Sequence, residues 1–272
     1  MKKIIAITNK NIILLTPLIL YSMFSSIYTI VSFNGGNFLN IVLTVLLLLL
    51  MTVTFIAGWF FMVKRAVINT DYEQENLTWK LFPEGVGEYF LSSLGVVCIL
   101  CFLTVVIFFI SYIIGMNTIG NPNVSVEALS NSMKDVNALK LFISNLSHEQ
   151  LVKINLWNML LFFATTVVYF VSFLFLPAVF FKNKNSVVAF IMSLKELFSK
   201  SFFRTCRLFL LILILNFILS IFSAIFSFNI LLNFVITLLG FYFITAVAIA
   251  VFDYYYNNFV KTKIGQNVDI KV

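Results

Sequence analysis

From Leu208 to Phe252 the chain runs for 45 residues without a Lys, Arg, His, Asp or Glu. One helix of that length would measure about 67 Å, roughly twice the ~30 Å hydrocarbon core of a bilayer. The segment therefore has to cross, turn and cross back. Residues 11–63 form a second uncharged stretch, interrupted by Asn34-Gly35-Gly36-Asn37, whose residue types tolerate left-handed backbone and end helices. Uninterrupted apolar runs, rather than alternating ones, select helices.

The rest of the composition fits an integral membrane protein. The chain is 61% hydrophobic and 11% charged, against about 45–50% and about 25% in soluble domains. Its net charge of +7 would suggest nucleic acid in a soluble protein, but the cations are dispersed in loops rather than gathered in one patch. Anionic membrane lipids are their expected partners, and nucleic acid is not. Cys98-Ile-Leu-Cys101 has redox spacing inside an apolar segment, where a thiolate would be costly, so with Cys206 these read as small packing residues. The start, MKKIIAITNKNIILLTPLIL, imitates a secretory signal. Lys10 interrupts its apolar region, and Ser25-Ser26 is a poor cleavage site, so the expectation is an uncleaved first span.

Six transmembrane helices are expected, at about 12–33, 38–63, 89–114, 154–181, 208–227 and 231–252, in one integral membrane domain covering 1–272. The expected fold is an all-α polytopic bundle with short interfacial amphipathic helices. Six crossings put both termini on one side. That side carries fifteen Lys and Arg residues, and the other carries three, Lys134, Lys140 and Lys153. The positive-inside rule then makes both termini cytoplasmic in a cell membrane.

Three loops have patterns of their own. The first inner loop holds Thr70-x-x-Glu73, a capping-box pattern, then ENLTWKLFPEGVGEYF, which Pro83 and Gly85 divide before span three. The second, 186–203, spaces Val187, Phe190, Ile191, Leu194, Leu197 and Phe198 along one helical face. Either a basic amphipathic helix in the inner interface or a cytosolic extension of span five fits that pattern. The outer loop, 115–153, carries Val126, Leu129, Met133, Val136 and Ile143 at helical spacing. Ser147-His148-Glu149-Gln150 then forms a capping box opening span four.

No ionisable residue falls in the middle of any span, which argues against proton-driven transport and voltage sensing. The candidate intramembrane polar face is Asn216, Ser220, Ser223 and Ser227, at i, i+4, i+7 and i+11, with Ala224 beside them. It is either a helix-packing seam or the lining of a substrate path, and packing is the simpler expectation. Candidate inner-interface contacts are Lys182, Lys184, Lys195, Lys200, Arg204 and Arg207. Glu84 and Glu88 lie where they could pair with Arg204 and Arg207, although solvated charges are the default. Pro17 and Pro177 fall inside spans one and four, where each removes a backbone donor. Asp253, followed by YYYNNF, reads as an interfacial anchor in an aromatic belt. His148 is the only histidine and sits in a capping context. No Walker loop, zinc spacing or nucleophile elbow is present, so no enzyme, cofactor or metal is expected.

Residues 176–214, LPAVFFKNKNSVVAFIMSLKELFSKSFFRTCRLFLLILI, resemble bacterial six-span membrane families of unknown function. These are related to the membrane domain attached to some glycerophosphodiester phosphodiesterases. The shared pattern is a span ending near a proline, a short basic loop and a Ser-containing amphipathic segment, matched here by Pro177, Lys182, Lys184 and Ser193. ENLTWKLFPEGVGEYFLSSL resembles the earlier equivalent loop. The catalytic barrel is absent, so the resemblance implies the membrane architecture and no phosphodiesterase activity. The expected function is a non-enzymatic multi-pass protein acting through lipid or a protein partner, as an accessory or scaffold subunit. The alternative is the permease subunit of an ATP-driven exporter, its ATPase docked on the loop at 64–89.

Overall fold

The two ends of each long helix are packed very differently. The computed structural model describes residues 2–33, 38–72, 77–125, 135–226 and 228–261. Among these, the regular structure is entirely helical. The helices are α1 (Lys2–Lys10), α2 (Leu15–Phe33), α3 (Phe38–Tyr72), α4 (Leu81–Thr118), α5 (Val136–Ser144), α6 (His148–Ser172), α7 (Phe175–Phe181), α8 (Ser186–Leu197), α9 (Phe202–Phe226) and α10 (Ile230–Tyr255). A 3₁₀ turn at Ile12–Leu14 precedes α2, and a π turn at Tyr256–Val260 extends α10.

Six helical stretches are long and apolar enough to cross a membrane: Ile12–Ile30, Leu39–Asn69, Leu81–Thr118, His148–Phe181, Phe202–Phe226 and Ile230–Val260. This is a polytopic membrane helical bundle. Side chains such as Phe102, Phe109, Phe162, Phe217 and Phe234 are more than 60% exposed. In water so much bare apolar surface would drive aggregation, whereas against acyl chains it costs nothing.

The chain divides into two compact units. The first comprises residues 1–99 and 171–272, and the second residues 100–170. In the first, α3 is the central element and packs against α2, α7 and α10. Apart from Thr44 near its start, its buried residues fall between Val53 and Val67: Val53, Ala57, Trp59, Phe61, Met62, Val63, Ala66 and Val67. The buried residues of α10 begin only at Thr245, and the one buried residue of α9 is Thr205. The core is therefore concentrated at the ends of these helices where the charged residues lie. Lipid is as apolar as a Phe side chain, so this core is held by packing and ring contacts rather than by transfer from water. Tyr21 stacks on Phe55 (4.4 Å), Phe55 on Trp59 (5.3 Å), and Phe60 on Phe252 (5.5 Å).

In the second unit, Trp157 of α6 lies against Gly115 of α4, where an added Cβ would come within 2.4–2.8 Å of the indole. The indole N–H donates to the Gly120 carbonyl at 3.0 Å. Gly120 itself, at φ +77°, closes the end of α4 in the left-handed region. The expected capping box is formed reciprocally: the Gln150 N–H donates to Ser147 Oγ (3.2 Å) and the Ser147 N–H to Gln150 Oε1 (3.0 Å).

Several expectations are corrected. Helix α4 begins at Leu81 and runs straight through Pro83 and Gly85, which were expected to divide a loop. Pro83 falls in the first turn, where its missing N–H costs nothing. Gly85 is a contact point, since a Cβ there would lie 2.5 Å from Phe61 Cβ and 2.9 Å from the Ala57 carbonyl oxygen. With α3 reaching Tyr72, little of 64–89 remains as a docking loop. Pro17 does not interrupt span one. It sits in the first turn of α2, and the Trp59 indole donates to the Leu14 carbonyl at 2.8 Å. Pro177 has no N–H for Phe173, and the helix breaks there, between Ser172 and Phe175. The outer loop is shorter than expected, because α4 persists to Thr118 and α6 opens at His148. Cys98 and Cys101 are exposed rather than packing, and all three cysteines are free. Glu73, Val126, Leu129, Met133 and Ser227 lie outside the described residues, as does the turn at 34–37.

Candidate ionic and membrane-interface site

At the charged end of the first unit, four acids meet four cations. Asp253 at the end of α10 pairs with Lys3 of α1 (2.7 Å), Glu88 of α4 with Lys184 (2.9 Å), and Glu84 with Arg65 of α3 (3.8 Å). Glu196 of α8 pairs with Lys182, with both side chains about 85% buried. These are the acids of this unit whose side chains are described, and each has a cation. Glu84 and Glu88 thus pair with Arg65 and Lys184, not with Arg204 and Arg207. One oxygen of Glu196 and the hydroxyl of Tyr255 are buried without a hydrogen-bond partner.

Aromatic rings complete the cluster. Lys64 donates to the Tyr89 hydroxyl (2.9 Å), which donates to the Phe180 carbonyl (3.3 Å), and Tyr89 stacks on Phe180 at 4.4 Å. Lys64 and Lys184 both lie over the Tyr89 ring, at 5.3 and 5.2 Å, and Lys182 lies 5.3 Å over Tyr255. Cation–π attraction is strongest when desolvated, which suits side chains held between helix ends. Tyr255, Tyr256 and Phe259 are buried, so three of the aromatic side chains that follow Asp253 pack into the core of the unit. Sequence reasoning missed Tyr89 and Tyr255 as members of this cluster. The only local hint is that each adjoins a charged or polar run at the end of a span.

The α8 helix also differs from its sequence reading. Its buried residues are Ser186, Ala189, Ser193 and Leu197, while Val187, Ile191 and Phe198 are 59%, 49% and 65% exposed. The small side faces inward because α4 comes close there. Ser186 Oγ donates to the Ser92 carbonyl at 2.7 Å, and a Cβ on Gly95 would lie 2.5 Å from Ser186 Oγ. Phe190 reaches Phe175 edge-on at 5.1 Å. Asn185 caps the helix through the N–H groups of Val187 and Val188.

This packing divides the expected inner-interface contacts. Lys182 and Lys184 are consumed by ion pairs. Lys195, Lys200, Arg204 and Arg207 are exposed at the α8–α9 junction. Arg204 donates to Asn258 Oδ1 at 3.0 Å, whereas Lys195, Lys200 and Arg207 face no acid among the described residues. Phe198 (65% exposed) and Phe203 (85%) stand among them. Cations interleaved with bare aromatic side chains suit the boundary between headgroups and acyl chains.

The expected intramembrane polar face lies on α9. Asn216 and Ser220 are exposed on α9, and Ser223 is partly covered. Ser220 and Ser223 border a groove of about 360 Å³ with Ser22 of α2 and Thr237 of α10. Ser227 lies outside the described residues. A more apolar groove of about 380 Å³ runs beside α2 and α3, from Leu47 to Trp79 and Phe82. Among the described residues no three His, Cys, Asp or Glu side chains gather as a metal site.

Fold and site together define an all-α, multi-pass membrane protein with an ionic–aromatic cluster at one end of its core. No protein-family model, curated protein or solved structure matches the chain.

Proposed function

We propose that this is a non-enzymatic membrane protein that acts by engaging anionic lipid headgroups at the α8–α9 junction, as a scaffold or accessory subunit. One observation carries the reading. The described acids of the first unit are neutralised by Lys3, Arg65, Lys182 and Lys184, while Lys195, Lys200 and Arg207 stay exposed beside Phe198 and Phe203. The field left over is positive and borders apolar side chains, which matches a phosphate-bearing headgroup above its acyl chains. The excess of Lys and Arg on one side supports cytoplasmic termini in a cell membrane. The exporter-permease alternative needs an ATPase-docking loop between spans two and three, most of which is taken up by α3 and α4.

The test is lipid competition in nanodiscs of mixed zwitterionic and anionic lipid, read by native mass spectrometry. Each cation is worth about 1 kcal/mol near an anionic surface. The triple variant Lys195→Gln/Lys200→Gln/Arg207→Gln should then lose on the order of 100-fold in preference for the anionic lipid. Wild-type protein with no such preference would end this reading.

A further inference from the structure

Helix α9 is the least covered of the membrane-spanning helices, and the first half of α10 beside it has no buried residue before Thr245. Beyond Thr205 no described residue of α9 is buried. Near its middle stands Asn216, exposed, with no hydrogen bond to its carboxamide among the described residues. Water is absent at that depth, and an unsatisfied amide in hydrocarbon is costly. One turn along the same face lie Ser220 and Ser223, at the edge of the 360 Å³ groove shared with Ser22 and Thr237.

Gly240 of α10 also borders that groove, and it is an unused notch. Gly58, Gly85, Gly95 and Gly115 are each filled by a neighbour, respectively Phe82, Phe61, Ser186 and Trp157. A Cβ at Gly240 would meet nothing within 4 Å. Small residues of this kind allow two membrane helices to approach closely.

The occupant has to supply a hydrogen bond at the depth of Asn216. An acyl chain would fill the groove but has no donor or acceptor. A carboxamide has both, so it is its own complement. Copies inserted with the same orientation are related by a two-fold axis along the membrane normal, which places every residue opposite its own depth. Asn216 then meets Asn216. We propose that this face of α9 and α10 is where a second copy of the chain docks, forming a symmetric dimer joined by paired Asn216 carboxamides.

The test uses the full chain in vesicles, with Cys98, Cys101 and Cys206 replaced by Ser and the reporter Ser220→Cys added. Cross-linked dimer is expected, at a yield that saturates as the protein-to-lipid ratio rises. Asn216→Leu should weaken association about tenfold, and Asn216→Gln should retain most of it. Phe109→Ala, an exposed substitution outside α9 and α10, should leave it unchanged. The Asn216 carboxamide makes no hydrogen bond among the described residues of the monomer, so helicity and thermal midpoint of Asn216→Leu should match the parent, separating lost docking from lost folding. The triple variant at Lys195, Lys200 and Arg207 should dimerise normally, which keeps this inference distinct from the lipid reading. It is overturned by a monomer at every ratio, by an Asn216→Leu variant that cross-links like its parent, or by a groove occupied by lipid or another protein in place of the second copy.

Discussion

At the scale of single residues, this fold is set by where side chains are missing. Gly58 receives the Phe82 ring and Gly85 receives Phe61, so α3 and the start of α4 hold each other by reciprocal insertion. Neither Phe61 Cβ nor the Ala57 carbonyl can move without moving α3. Gly85→Ala should therefore lower stability by about 1–3 kcal/mol despite its better helix propensity. Gly87→Ala, two residues on and with open space around it, should be neutral or gain up to about 1 kcal/mol. Thermal unfolding in detergent, followed by circular dichroism, would compare the two. Equal effects at both positions would mean that the close approach carries no energy. Sequence alone reads Gly85 as a loop breaker. Its use as a contact point depends on Phe61, 24 positions away, and local patterns do not reach that far.

At the scale of elements, what is local was legible. Ser147 and Gln150 bond across one helical turn, so their motif needs no tertiary partner to form. Ser147→Ala should cost about 1 kcal/mol and show as faster hydrogen exchange at the first amides of α6, Gln150 above all. Exchange unchanged in that turn would mean that tertiary packing, not the cap, fixes the helix start. Pro177 likewise breaks its helix where its missing N–H requires. The α8 face was misread for a physical reason. In water a large apolar stripe marks the inside of a helix. Beside a membrane, large apolar side chains can face lipid, and the close packing goes to Ser186, Ala189 and Ser193. Periodicity finds the helix but not which side is in.

At the scale of the whole molecule, charge and burial are sorted along the helices. The ionic pairs and buried rings occupy one end of the first unit, and the helix segments away from it are largely bare. The Lys and Arg asymmetry predicts that this end faces the cytoplasm. A membrane-impermeant thiol reagent applied to intact cells should then label Lys140→Cys but not Lys200→Cys in a cysteine-free background, and reach both after lysis. The reverse pattern would invert the topology while leaving the helices unchanged. The sequence by itself determined that the chain enters the membrane, that it has six spans and roughly where they lie, though not where the helices begin and end. Those follow from the transfer of uncharged segments into lipid and from bonds between near neighbours. Only the tertiary structure decided that the acids are spent on Lys3, Arg65, Lys182 and Lys184, that Tyr89 and Tyr255 belong to that cluster, and that Asn216 faces outward. Each of these depends on which helices lie side by side, and apolar helices are too alike in lipid for sequence pattern to specify their neighbours.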